Sequence, residues 1–433
     1  MGPELIAIIV LAIMFVIATW RDVNMGLLGF IAAVGVGTLV LGQKINESLA
    51  GFPVDLFLIL VGLTYLFGFA QNNGSIEVIV NWCVKLVRGR MELLPWAFFG
   101  LTAVMMGFGA LAVVGIVTPL ALTIARRHRI NQFMMGLMVA HGAVAGAFSP
   151  ISVYGIFING YLDRAGVAPA PLTLFLMPLA FNTIFAAVIY ALLRNRPGLR
   201  TEGDAESDLA GTPGSGPGTS IQTGGTMVDV KTRVTGTQVL TLLGLAAMVL
   251  SVLVFGLNLG IVTLVISVIL AIINPAAGKA ALSKVSWPIV VLVTGVLTYI
   301  VVLQSAGAVE WVSGGISAVG IPLLAALLLF YMAGLISALA SSLAIIGVVM
   351  ALALPFLQSG DVHVGGFIAA LAISATIVDI SPFSSNGAML LANVEASIRD
   401  RYYKQLLAYA GFLCLVGPGL AWFVAAIPTW LGA

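Results

Sequence analysis

The sequence predicts an all-α polytopic membrane protein built from two inverted-topology repeats, and three observations predict it. Of 433 residues, 60% are hydrophobic and only 8% are charged, too few to clothe a water-facing surface. Apolar runs of about 20 residues, the length that crosses a bilayer's hydrocarbon core, recur along the chain, while the alternation of a barrel strand is missing. Fragments of the first half return in the second at an offset of 232 to 234 residues.

The first repeat covers 1–194, with apolar spans at 4–20, 25–43, 54–72, 132–161 and 172–193. The opening run, Ile6 to Trp20, lacks a basic leader and an A-x-A cleavage site, so it reads as a retained helix. Between the third and fourth spans lies MMGFGALAVVG (105–115). Its short arms predict a re-entrant hairpin, with two full crossings as the alternative. The segment 195–235 is rich in Gly, Ser, Thr and Pro, cannot bury a core, and reads as a flexible cytoplasmic linker. The second repeat, 236–433, has spans at 236–256, 260–274, 288–305, 366–398 and 405–427, and GLISALASSLAIIG (334–347) stands where its hairpin is expected.

The duplication rests on residues that are uncommon in apolar sequence. Leu63-Thr64-Tyr65 returns as Leu297-Thr298-Tyr299, and Gln71, Gly74 and Glu77 return as Gln304, Gly307 and Glu310. Gly115 to Leu122 matches Gly347 to Leu354, and FSPIS (148–152) matches ISPFS (380–384). About five crossings and a hairpin make an odd count, so the second repeat must be inverted. With the amino terminus outside, only Lys44 and Arg164 of the 19 Lys and Arg fall on the outer face, as the positive-inside rule requires. The chain is therefore expected as a multi-pass protein of the inner (plasma) membrane, with lipid around it. A net charge of +2, scattered at segment ends, offers no surface for nucleic acid. Cys83 and Cys414 have neither disulfide nor metal spacing.

The chemistry is expected at the paired S-P-x-S motifs, Ser149-Pro150-Ile151-Ser152 and Ser381-Pro382-Phe383-Ser384, each in the middle of a long apolar span. Proline removes a donor and clashes with the preceding turn, so each helix should break at mid-depth. The helix that restarts presents free N–H groups and a positive dipole end, which with the serine hydroxyls suit an anion. A simple proline kink with self-bonded serines is the alternative. Around the second break stand Asp379, Ser381, Ser384, Ser385 and Asn386, and Asp379 faces Ala147 in the repeat alignment. An intramembrane carboxylate is costly and points to a cation or proton site. His141 reads equally as a structural residue or a proton relay, and Glu77 and Glu310 as interfacial bonds. Every Lys and Arg lies near a segment end, so a dianion at mid-depth lacks a fixed cation. Bound Na+, held by carbonyls at the breaks and at the hairpin tips 107–112 and 340–344, would supply the charge. No other cofactor is implied.

These residues resemble the ion transporter superfamily, and most closely the malonate or dicarboxylate carriers of the MatC type. The resemblance runs over nearly the whole chain and is carried by the repeats, the hairpins and the segments AFSPIS and DISPFSSNGA. Through it the chain is also similar to the divalent anion:sodium symporters, which are homodimers working by an elevator motion. The resemblance implies a cation-coupled symporter, with Na+ as coupling ion, for malonate, malate or succinate. It places substrate and sodium jointly on Ser149, Ser152, Ser381, Ser384, Ser385 and Asn386; Pro150 and Pro382 at the breaks join the substrate candidates, and Gly109, Ala147, Ser149, Asp379 and Ser381 are the candidate Na+ positions. The Ser-Asn-Thr signature of those symporters is absent from both tips, where Gly109 and Ser341, Ser342 stand instead; the latter two join the substrate candidates. Alternatives are proton coupling through Asp379, the membrane subunit of a binding-protein-dependent carrier, and a channel. Three histidines and no H-E-x-x-H leave little for an intramembrane enzyme.

Overall fold

A computed structural model describes residues 2–21, 23–87, 90–196, 234–308, 311, 322–338, 342–359 and 363–426, and every regular element among them is a helix. Linker residues 197–233, together with Glu310, Ala340 and Ser341, lie outside the described residues.

In the first half the helices are α1 (Pro3–Arg21), α2 (Met25–Leu39), the short α3 (Ile45–Ser48), α4 (Val54–Asn72), α5 (Ser75–Leu86), α6 (Leu94–Gly107), α7 (Val113–Arg127), α8 (Gln132–Gly146), α9 (Val153–Arg164) and α10 (Pro171–Leu193). The second half runs α11 (Gly236–Leu253), α12 (Leu259–Ile273), α13 (Pro275–Leu282), α14 (Trp287–Ser305), α15 (Pro322–Ser337), α16 (Ser342–Ser359), α17 (Val364–Thr376), α18 (Ser385–Ala392) and α19 (Ala396–Ala421). Local signals recur between the halves. Asn24 caps α2 by accepting from the Gly26 N–H, and Asn258 caps α12 by accepting from Ile261. Gly74 and Gly307 follow α4 and α14 at φ 78° and 75°, turns that glycine makes without strain. Among the described residues five stretches are long and apolar enough to cross a bilayer.

Besides the four-residue α3, two longer helices lie outside the expected spans and hairpins. α5 is amphipathic, burying Ile76 and Val80 while Trp82 and Lys85 face outward. Its alternating polarity hid it from a search for apolar runs. α13 starts on the Asn274 side chain, which accepts from the Ala277 N–H, with Pro275 at the first helical position.

Small residues bring the paired helices together. Gly26 and Gly29 of α2 lie against Val291 and Gly295 of α14, and Gly62 of α4 lies against Gly260 and Thr263 of α12. A methyl on Gly26 would overlap the Val291 carbonyl, and one on Gly295 the Gly26 carbonyl, so the backbones touch. Both pairs run parallel. Gly51, just before α4, meets Val301 near the end of α14, so α4 starts where α2 and α14 finish. Helix α12, which corresponds to α2, therefore runs opposite to it.

A second group packs around α8 and α17, flanked by α6, α10, α15 and α19. All of α8 is buried, as is all of α17 after Val364. Helices α6 and α7 are 14 and 15 residues long. At 1.5 Å per residue each reaches about 21–23 Å, short of the roughly 30 Å core, as do α2 and α12 at 15 residues. Contacts between helix ends sort these ends into two groups. Arg164 pairs with Asp55 at 2.6 Å, and the Gln358 amide donates to the Ala165 carbonyl at 2.8 Å, all at ends expected outside. Arg126 pairs with Glu395 at 2.5 Å, and Asn24 donates to the Pro288 carbonyl at 2.7 Å, all at ends expected inside.

Candidate functional site

Both spans that carry the S-P-x-S motif are broken, whereas Pro178 and Pro418 sit inside continuous helices. Helix α8 ends at Gly146, six residues intervene, and α9 restarts at Val153; helix α17 ends at Thr376, runs through a 3-10 turn at Ile377–Ile380, and α18 restarts at Ser385. The second serine of each motif is the cap of the new helix. Ser152 Oγ accepts from the Gly155 N–H at 3.2 Å and Ser384 Oγ from the Gly387 N–H at 3.4 Å. Each also donates back across the break at 2.7 Å, to the Ser149 and Ser381 carbonyls. The first serines turn the chain, accepting from the Ile151 and Phe383 N–H groups at 3.3 Å. Glycine three residues on is part of the motif, because a methyl at Gly155 or Gly387 would overlap the Ser149 or Ser381 carbonyl. Sequence reading missed that S-P-x-S-x-x-G pattern, although both glycines were in view.

The hairpin tips meet these breaks. At the first tip the chain turns through Gly109 at φ 94°, and Ser149 Oγ donates to the Gly107 carbonyl at 2.6 Å. The repeat-equivalent position of Gly107, residue 339, lies outside the described residues. There Ser337 donates to Ser342 at 2.7 Å, and Ser342 donates to the Asp379 carboxylate. Asp379 is only 8% exposed, and no basic side chain pairs with it among the described residues.

Tips and breaks enclose a cavity of about 290 Å³. Its walls come in pairs 232 residues apart: Leu111 and Leu343, Val144 and Thr376, Ala147 and Asp379, Tyr154 and Asn386. Leucine faces leucine in one of these pairs, but the other three differ in chemistry. The first half lines the cavity with Met106, Leu111, Ala112, Val144, Ala147 and Tyr154; the polar side chains Ser342, Thr376, Asp379, Ser385 and Asn386 come from the second. Ser286, Ile289 and Leu292 close the cavity near the start of α14.

Of the expected site residues, Ala147, Ser342, Asp379, Ser385 and Asn386 line this cavity. Ser149, Pro150, Ser152, Ser381, Pro382 and Ser384 build the breaks behind it, and Gly109 sits at the first tip next to Leu111 and Ala112. Ser341 lies outside the described residues. Tyr154, Ser286 and Thr376 were not anticipated; Tyr154 could have been found as the repeat equivalent of Asn386. His141 lies elsewhere. Its Nδ1 meets Asn182 Oδ1 at 2.9 Å and its Nε2 the Tyr409 hydroxyl at 2.6 Å, tying α8 to α10 and α19. Glu77 lies in the first turn of α5, away from the cavity walls.

The arrangement offers amide, hydroxyl and carboxylate groups in a small enclosed space, with no lysine or arginine among the lining residues. Hydroxyls and an amide can hold a carboxylate ligand. The nearby Asp379 carboxylate opposes it unless a cation or proton neutralises that group.

Residues 1–147 match the family model described as the dicarboxylate carrier protein MatC N-terminus. The structure is similar to the crystal structure of the YdaH transporter of Alcanivorax borkumensis, with a TM-score of 0.59 at 14% sequence identity, covering 100% of this chain and 98% of that one. At that identity the likeness establishes the fold, an all-helical one shared with a membrane transporter. No curated protein sequence matches the chain.

Proposed function

We propose that this chain is a secondary active transporter that imports a small dicarboxylate such as malonate, malate or succinate, coupled to a cation, with Na+ as the coupling ion. The observation that carries this reading is the cavity itself: equivalent breaks and hairpin tips converge on it, and its polar wall holds a buried carboxylate with no basic partner among the described residues. A dianion binds beside Asp379 only when positive charge arrives with it, so substrate affinity and cation occupancy are linked. The family match over residues 1–147 supports the substrate class.

In this reading 1–194 and 236–433 are inverted repeats joined by a cytoplasmic linker, 195–235. Helices α2, α4, α12 and α14 form a scaffold, and the group around α8 and α17 carries the cavity past it as an elevator. The scaffold contributes Ser286, Ile289 and Leu292 to the cavity wall, at the α14 end assigned to the cytoplasm, so this conformation faces inward. The resemblance to divalent anion:sodium symporters supports a homodimer in the inner membrane.

A second reading, proton coupling, is favoured by one observation: Asp379 ends a chain of hydroxyls from Ser337 through Ser342, a protonatable group with a ready donor. Uptake of labelled malonate and succinate into proteoliposomes, with Na+ and pH gradients imposed separately, discriminates the two. The expected result is Na+-dependent accumulation by the purified chain alone, which also excludes a requirement for a soluble binding protein. Asn386→Ala should raise KM about ten-fold or more, the loss of a hydrogen bond to a charged group. Accumulation driven only by the pH gradient would transfer the coupling role to the proton, and no uptake of any dicarboxylate would overturn the proposal.

A further inference from the structure

A second cavity, of about 40 Å³, lies against the first hairpin tip. A water needs about 10–15 Å³ on this scale, so the space suits a few water-sized groups, the bulk of one carboxylate. Thr64 and Gln71 of α4 form one wall, the tip forms another, and Lys284 and Ser286, between α13 and α14, complete it. Leu111, Ala112 and Ser286 also line the central cavity, so the two spaces share walls at the tip. Lys284 is exposed, and neither an ion pair nor a side-chain hydrogen bond engages its ammonium among the described residues. The central cavity has no such charge.

We propose that Lys284, with Gln71 and Ser286, forms an inner anion subsite, where a carboxylate ligand docks as it passes between the central cavity and the face of the membrane that carries Lys284. The inference rests on the transport reading above. An ammonium attracts a carboxylate over about one Debye length, so this subsite raises the local concentration of anion at one mouth only. Its place on the scaffold matters. When the substrate-bearing helices move, Lys284 stays behind, so it serves binding and release at its own face without holding the dianion during translocation.

Right-side-out and inverted membrane vesicles give the test, with labelled malonate and succinate offered to each face in turn. In Lys284→Gln, KM measured from the Lys284 face should rise about five-fold to ten-fold while KM from the opposite face stays within two-fold and the maximal rate is retained. Lys284→Arg should restore the wild-type KM. Added salt should raise KM from the Lys284 face in the wild type and leave it flat in Lys284→Gln. Transport by the wild type with Lys284→Gln unchanged at both faces, or with KM raised equally at both, would overturn the subsite and leave the transport reading standing. Absence of dicarboxylate transport by the wild type would instead remove the reading on which it rests.

Discussion

At the scale of single residues, the proposed cation coupling turns on Asp379, the acidic side chain among the residues lining the cavity. Its repeat equivalent is Ala147, so one wall is inert and the other can carry charge. Two hydroxyls in series do not replace a counter-ion for a buried carboxylate next to a dianion. Asp379→Asn keeps the shape and removes the charge, so it should uncouple the protein. Proteoliposomes bearing this variant should still exchange labelled for unlabelled substrate, yet fail to concentrate it above the outside level under a cation gradient. Wild-type accumulation by Asp379→Asn would remove the coupling role from this residue. The residue was legible because a carboxylate amid apolar sequence is conspicuous, and its partner Ser342 less so, because a serine in a small-residue stretch carries no such signal. Lys284 was legible only as a loop charge. Its proximity to the hairpin tip depends on α4 packing beside α13, a contact that no local pattern encodes.

At the scale of elements, the breaks are assembled from short-range rules: proline stops one helix, serine starts the next, and glycine lets the new helix lie against the old carbonyl. Loss of the Ser384 cap should cost about 1 kcal/mol. Forcing a methyl into the Gly387 site should cost more, about 1–3 kcal/mol or beyond, because the backbone of the break must shift. Gly387→Ala is therefore expected to lower both thermal stability in detergent and uptake more than Ser384→Ala, as read by size-exclusion after heating and by initial rates. The reverse order would mean that the cap, not the close approach, holds the break. Proline and serine made the breaks readable in advance, whereas the glycine contact needed the third dimension. The capping serines also explain why Ser152 and Ser384 lie behind the cavity: their hydroxyls are already committed to the helix ends.

At the scale of the whole molecule, the scattered identities between the halves pair positions that the structure brings to one cavity. Equivalent positions line the cavity, and equivalent glycine contacts recur between the halves, where Gly26 touches the Val291–Gly295 stretch and Gly260 touches α4 near Ile59 and Gly62. Neither half pairs these helices within itself: α2 binds α14 and α4 binds α12. Residues 1–196 and 234–433 expressed as two separate chains should therefore yield little folded protein singly and regain dicarboxylate uptake when produced together. Uptake by either half alone would contradict that mutual dependence.

The cross-pairing also sets an order on biosynthesis. When α2 and α4 leave the ribosome, the surfaces that will cover their glycines have not yet been translated. The amino-terminal half must wait in the bilayer with those backbone faces against lipid until α12 and α14 are inserted. The lifetime of that half-built intermediate, and its exposure to quality-control proteases, is governed by how quickly the second half is made.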